Sequence, residues 1–134
     1  MKWFVMGMKN FLQFTGRSRR SEYWYFALVF VPILLLLAFI EISLGWRGEG
    51  SGLGPLTGLF AVVMFLPNLA LSIRRLHDTG RSGWWILIGF VPILGVIALL
   101  YFYASEGDAE TNAYGPNPKN PVQNKFEFPN PINP

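Results

Sequence analysis

One run of twelve residues, Arg74-Arg-Leu-His-Asp-Thr-Gly-Arg-Ser-Gly-Trp-Trp85, gathers most of the reactive side chains of this chain. A second, Phe14-Thr-Gly-Arg-Ser-Arg-Arg-Ser-Glu-Tyr-Trp24, supplies Arg17, Arg19, Arg20 and Glu22. The chemistry these types favour is anion binding. A guanidinium presents a planar fork of donors that matches a carboxylate or phosphate, and six such forks lie in the two runs: Arg17, Arg19, Arg20, Arg74, Arg75 and Arg81. Catalysis is poorly served. His77 is the only histidine and there is no cysteine, so neither a thiolate nucleophile nor an ordinary zinc site fits within one chain. His77, Asp78 and Ser82 lack a Gly-x-Ser-x-Gly context, and neighbours in sequence seldom have triad geometry. No catalytic residue, metal or cofactor is expected.

Two readings of the arginines stand side by side. In the structural one, Glu22 and Asp78 pair with arginines in a polar collar completed by His77, Trp84 and Trp85, with the tryptophans seated where amphipathic rings anchor at a membrane surface. Asp78-Thr79-Gly80 reads as a turn, with Gly80 free to take positive φ. In the functional one, surplus positive charge attracts anionic lipid at about 1 kcal/mol per residue near the surface. The concrete form of that expectation is a lipid phosphate bridged by Arg74, Arg75 and Arg81. A partner membrane protein or a second copy of the chain is the other kind of partner; no nucleic acid is expected.

These residues must be carried by elements suited to lipid. Of 134 residues, 51% are hydrophobic and 14% charged, against about 25% charged in ordinary soluble domains. The apolar residues form three blocks, about 23–44, 53–73 and 84–104, each of roughly 20 residues and so about 30 Å as a helix. Backbone polar groups in lipid must bond within their own segment, so all three are expected to be transmembrane helices. The fold class is all-α, a single membrane domain over residues 1–121, with a proline- and asparagine-rich tail at 122–134 expected to be disordered. No cleavable signal is evident, because the first block is too long and lacks a small-x-small site after it.

Orientation follows from the basic residues. Eight (Lys2, Lys9, Arg17, Arg19, Arg20, Arg74, Arg75 and Arg81) flank one side, against Glu22 and Asp78. That places the N-terminus and the Arg74–Gly83 loop in the cytoplasm. Three crossings then put the Gly45–Gly52 loop and the C-terminus outside.

Around these spans lie weaker signals. Trp3, Phe4, Val5, Met8, Phe11, Leu12 and Phe14 cover one side of an N-terminal helical wheel, with Lys2, Lys9, Asn10 and Gln13 opposite. Such a helix lies in the headgroup plane or packs on the bundle. Glu41 is placed to reach headgroups at the outer end of the first span. Asn68 is the notable intramembrane polar group; beside Pro67 it is expected to bond the freed Val63 carbonyl or another helix. A small oligomeric channel or transport accessory is the alternative function, weakened by the lack of charge at mid-membrane. Gly54-x-x-x-Gly58 offers a close-packing seam, within the chain or between copies. Phe-Val-Pro-Ile-Leu occurs at both 30–34 and 90–94, so the first and third helices are expected to bend alike.

The two arginine runs, together with Asn112-Ala-Tyr-Gly-Pro-Asn-Pro118, resemble the YhaH-like bacterial inner-membrane proteins, the domain of unknown function 805, over about residues 1–121. The resemblance implies a cytoplasmic-membrane location and brings no activity, substrate or cofactor. Within it, Asn112–Pro118 is read as a turn returning the chain toward the bundle, anchored by Tyr114.

Overall fold

A computed structural model describes residues 2–47 and 52–120; the side chain of Trp3 and the expected disorder of the 122–134 tail lie outside the described residues. Those residues form helices and turns, with one isolated bridge between Asn112 and Gly115. In chain order they are α1 (Lys2–Lys9), α2 (Arg20–Ser43), α3 (Pro55–Asp78), a 3-10 segment (Gly83–Phe90) and α4 (Leu94–Ala104).

The first two apolar blocks become α2 and α3, each of 24 residues. At 1.5 Å per residue that is about 36 Å, enough to cross about 30 Å of hydrocarbon. Both run unbroken through an internal proline, Pro32 in α2 and Pro67 in α3. Most large apolar side chains on these helices, such as Leu28, Leu35, Phe39, Val62 and Phe65, are exposed. The buried core is small: Phe26, Met64 and Leu71, with Phe4, Met8, Tyr23, Phe30 and Phe60 against it. Aromatic rings tie it together, Phe4 on Phe26 at 5.2 Å and Phe30 on Phe60 at 5.6 Å between centroids. Such a distribution is stable where acyl chains cover the outside.

The N-terminal helix is shorter than its apolar pattern, ending at Lys9. It packs on the bundle through Phe4 and Met8, while Val5, Phe11 and Leu12 stay exposed.

Glu41 does not extend to headgroups. It is fully buried, its carboxylate accepting from the Leu56 and Thr57 backbone amides and the Thr57 hydroxyl. Gly54, at the N-cap of α3, brings no capping side chain. The acid of α2 supplies the missing acceptor and sits at the positive end of the α3 dipole. A Cβ at Gly54 would collide with that carboxylate, whereas one at Gly58 would meet nothing. Of the glycine pair, Gly54 is a seat for Glu41 of α2, and Gly58 is an open face.

The third block departs from a continuous helix. Its start, with Gly83 before it, forms the 3-10 helix Gly83–Phe90, whose poorer geometry rarely persists. At Val91–Ile93 the chain reverses, and α4 packs back on the 3-10 segment: Trp85 meets Phe102 edge-on at 5.8 Å. Residues 83–104 are thus a helical hairpin that begins and ends at one end of the bundle. α4, with 11 residues, reaches about 16 Å, half of a bilayer core. The physical reason lies in the residues around Pro92. Proline pushes Val91 to an extended conformation (φ −80, ψ 111) and Ile93 takes φ 65. The same Phe-Val-Pro-Ile-Leu is helical at 30–34, where Leu35, Leu36 and Leu37 follow. At 90–94 it is bracketed by Gly89 and Gly95, which weaken a helix by about 1 kcal/mol each. The two motifs do not bend alike.

Gly95 is required by the reversal, because a Cβ there would strike the Ile88 carbonyl oxygen. Gly95→Ala is expected to lower stability in detergent by about 2–3 kcal/mol, as forced overpacking does. Gly58→Ala, with open space around it, should leave the unfolding midpoint unchanged or slightly raised. Equal midpoints for Gly95→Ala and wild type would argue against the hairpin.

Candidate functional site

Asp78 ends α3, where the helix dipole is negative and a carboxylate is unwelcome. It is nevertheless buried, and two arginines hold it. Arg17 Nε donates to Asp78 Oδ1 at 2.9 Å, and Arg75 Nη1, one turn back, donates to Oδ2. The side chains of Arg17, Asp78 and Arg75 are 1%, 3% and 0% exposed. One carboxylate cannot satisfy two guanidiniums, so the remaining donors find backbone carbonyls. Arg75 donates to Tyr103 O at 3.0 Å, Ser18 O at 3.3 Å and Ser105 O. Arg17 donates to Glu110 O at 2.7 Å, to Gly115 O at 3.3 Å and to Asp108 O.

Four of those six carbonyls, at Ser105, Asp108, Glu110 and Gly115, belong to the segment after α4, which lies across the end of the bundle. Arg19 donates to Pro118 O at 2.7 Å, and Arg20 pairs with Glu106 at 2.8 Å. A hydrogen bond from Lys119, reinforced by the charge of Arg20, holds the Glu106 carboxyl below its ordinary pKa. Asp108 N donates to Asp78 O at 2.8 Å. The turn expected at Asn112–Pro118 is present: Asn112 and Gly115 exchange backbone bonds at 3.1 Å, and Tyr114 stacks flat on His77 at 4.0 Å. The tail through Asn120 therefore shares an end of the bundle with Arg17 and Asp78. Opposite ends for the N-terminal segment and the chain after the third block were expected from three crossings; the described residues 105–120 lie at the same end of the bundle as Arg17.

Arg74 is different. Its Nη1 lies 3.5 Å from Glu22 Oε1, with both side chains under 10% exposed, and its Nε and Nη2 have no acceptor. Leaving a buried donor unsatisfied costs about 1–3 kcal/mol, more for a charged group. Arg74 also lines a cavity of about 420 Å³ with Lys2, Met6, Asn10, Gln13, Arg17, Arg19, Glu22 and Pro118. Neither Arg75 nor Arg81 lines it. Arg81 lies over the Phe102 ring at 4.1 Å, so the expected Arg74–Arg75–Arg81 bridge is not assembled; adjacent residues on a helix point apart.

Other candidates are scattered. Gly80 takes φ 71 in its turn. Trp84 is largely exposed and Trp85 half so, at the base of the hairpin. Asn68 accepts from Ser72 at 3.4 Å, one turn along the same helix. His77 Nδ1 is 3.2 Å from Gly16 O, so that nitrogen carries the proton. His77 and Ser82 line a mainly apolar cleft, but Asp78 is spent on arginines and does not orient the imidazole. Among the described residues no cluster of histidines and acids suits a metal. The acceptors that sequence reasoning missed are the tail carbonyls, which carry no side-chain signal. Glu41 carried one: a Gly-Pro helix start with no capping side chain, and an unpaired acid in a neighbouring apolar block.

Residues 11–116 match the family described as "Protein of unknown function (DUF805)". The chain belongs to this family. The DUF805 match spans the site from Arg17 to Gly115. The protein named "Inner membrane protein YhaH" in Escherichia coli K12 is 40% identical over 119 residues, 89% of this chain and 98% of that protein. "Inner membrane protein YhaI" of the same strain is 44% identical over 119 residues, 89% of this chain and 97% of its own. "Uncharacterized protein YiiR", also from that strain, is 32% identical over 92 residues, 65% of this chain and 58% of its own. No solved structure matches.

Removing one partner from a buried ion pair costs about 3–5 kcal/mol, and an exposed pair contributes less than about 1 kcal/mol. Arg75→Met is therefore expected to lower the denaturation midpoint in detergent sharply, and Arg20→Met hardly at all. Similar midpoints for both variants would contradict the burial assigned to Arg75.

Proposed function

We propose that the protein is a non-enzymatic component of the bacterial cytoplasmic membrane that engages anionic phospholipid through its arginine-rich end. In this reading α2 and α3 cross the bilayer. Residues 83–104 enter and leave it on the cytoplasmic side, and both the N-terminus and the 105–120 segment lie in the cytoplasm. The names of the relatives support the membrane, and the two long apolar helices fit it.

The observation that carries the proposal is the placement of charge. Lys2, Lys9, Arg17, Arg19, Arg20, Arg74, Arg75, Arg81 and Lys119 gather at one end with Glu22, Asp78, Glu106, Asp108 and Glu110, nine bases against five acids. At the other end, among the described residues, stand Arg47 and Glu41. Cytoplasmic flanks carry such an excess, and anionic headgroups are drawn to it. The tail lowers the surplus but concentrates what remains around α1 and Arg74. A partner membrane protein is a weaker second reading, supported by the open face at Gly58. A small oligomeric channel or transport accessory finds less support, since Asn68, its notable intramembrane polar group, bonds within its own helix.

Reporter fusions test the topology. Green fluorescent protein is expected to fluoresce at either terminus, and alkaline phosphatase to be inactive at the C-terminus; an active phosphatase there would contradict the hairpin reading. For lipid, the unfolding midpoint should be higher in phosphatidylglycerol nanodiscs than in phosphatidylcholine, with the difference shrinking in salt. Equal midpoints would remove the lipid proposal.

A further inference from the structure

We propose that the cavity between α1 and the collar is a phosphate-ester site whose central ligand is Arg74. This rests on the anionic-lipid reading and narrows it to one pocket. The guanidinium of Arg74 meets Glu22 through Nη1 alone, at 3.5 Å. Its other two nitrogens, Nε and Nη2, share the opposite edge of the fork, the edge that grips two oxygens of a phosphate side by side. Both lack an acceptor, on a side chain only 5% exposed. The other arginines at this end are already engaged. Arg17 and Arg75 hold Asp78 and tail carbonyls, Arg19 holds Pro118 O, Arg20 pairs with Glu106, and Arg81 covers Phe102.

The surroundings suit a headgroup better than a bare ion. At about 420 Å³ the cavity has room for about a dozen waters at roughly 30 Å³ each. Lys2, Arg17 and Arg19 add positive charge to its wall, against the single carboxylate of Glu22. Asn10, Gln13 and Glu22 offer acceptors for hydroxyl or ammonium groups of the ester. Asn10 and Gln13 also belong to a second, more open depression lined by Lys9, Phe11, Leu12, Phe14 and Thr15. Its three large apolar side chains beside the charged pocket offer a surface for the acyl part of a phospholipid. The shared chemistry is a phosphate ester, which a lipid headgroup or a soluble glycerol phosphate can supply.

Native mass spectrometry of the full chain, offered phosphatidylglycerol, phosphatidylcholine or glycerol 3-phosphate, tests the site. The wild type is expected to retain phosphatidylglycerol in preference to phosphatidylcholine, Arg74→Gln to bind it at least tenfold more weakly, and Arg47→Gln, at the opposite end of the bundle, to match the wild type. If the wild type and Arg74→Gln keep the same preference, the pocket is refuted while the general lipid reading stands. If the wild type shows no preference but binds glycerol 3-phosphate through Arg74, the pocket stands with a soluble ligand and the lipid reading falls. Binding of neither ligand overturns both. Should Arg74→Gln fail to fold, Asn10→Glu decides, since it sets a carboxylate on the cavity wall just after α1, away from the buried collar. Its loss of binding supports the site, and undiminished binding overturns it.

Discussion

A carboxylate buried at the negative end of a helix needs strong compensation, and Asp78 obtains it from Arg17 and Arg75. Those two guanidiniums then have more donors than one carboxylate can accept. The excess is met by main-chain carbonyls at Tyr103, Ser105, Asp108, Glu110 and Gly115. For these carbonyls to reach the end of α3, the chain leaving α4 must stand where the chain entering the 3-10 segment stood. The hairpin at Pro92 is the geometry that permits this. One ionic constraint thus links the N-terminal loop, the end of α3, the hairpin and the tail.

The same arrangement separates structural from available charge. Arg17 and Arg75 are consumed by the fold, and their removal would expose an unpaired Asp78. Arg74 sits next to Arg75 in sequence, but a helix turns adjacent residues about 100° apart. It therefore faces α1 and the cavity while Arg75 faces the tail. Two neighbouring arginines thus meet different surroundings because of helical geometry alone.

Much of this was legible in the residues. The pairing of Glu22 and Asp78 with arginines followed from two acids among many bases, and the turns at Gly80 and at Asn112–Pro118 followed from their residue types. The first two apolar helices were set by length and composition. The hairpin was hidden because apolar content reports solvation by lipid and not direction of travel: 20 apolar residues that cross once and 20 that dip and return have the same hydropathy. The distinguishing signal was local, Gly89 and Gly95 around Pro92, against leucines after Pro32. The arginine acceptors were hidden more deeply, since carbonyls occur at every residue and only the tertiary path selects among them. With Glu106, Asp108, Glu110 and Lys119 at the same end of the bundle, the surplus charge there is smaller than the two arginine runs alone suggest.

Asp78 is the residue that ties the tail to the collar. Hydrogen exchange of residues 105–118 in lipid nanodiscs, compared between wild type and Asp78→Asn, addresses this directly. Protected amides are expected in the wild type, notably Asp108 and Gly115, and fast exchange across the segment in the variant, with α2 unchanged. Rapid exchange already in the wild type, or full protection in Asp78→Asn, would contradict the tie.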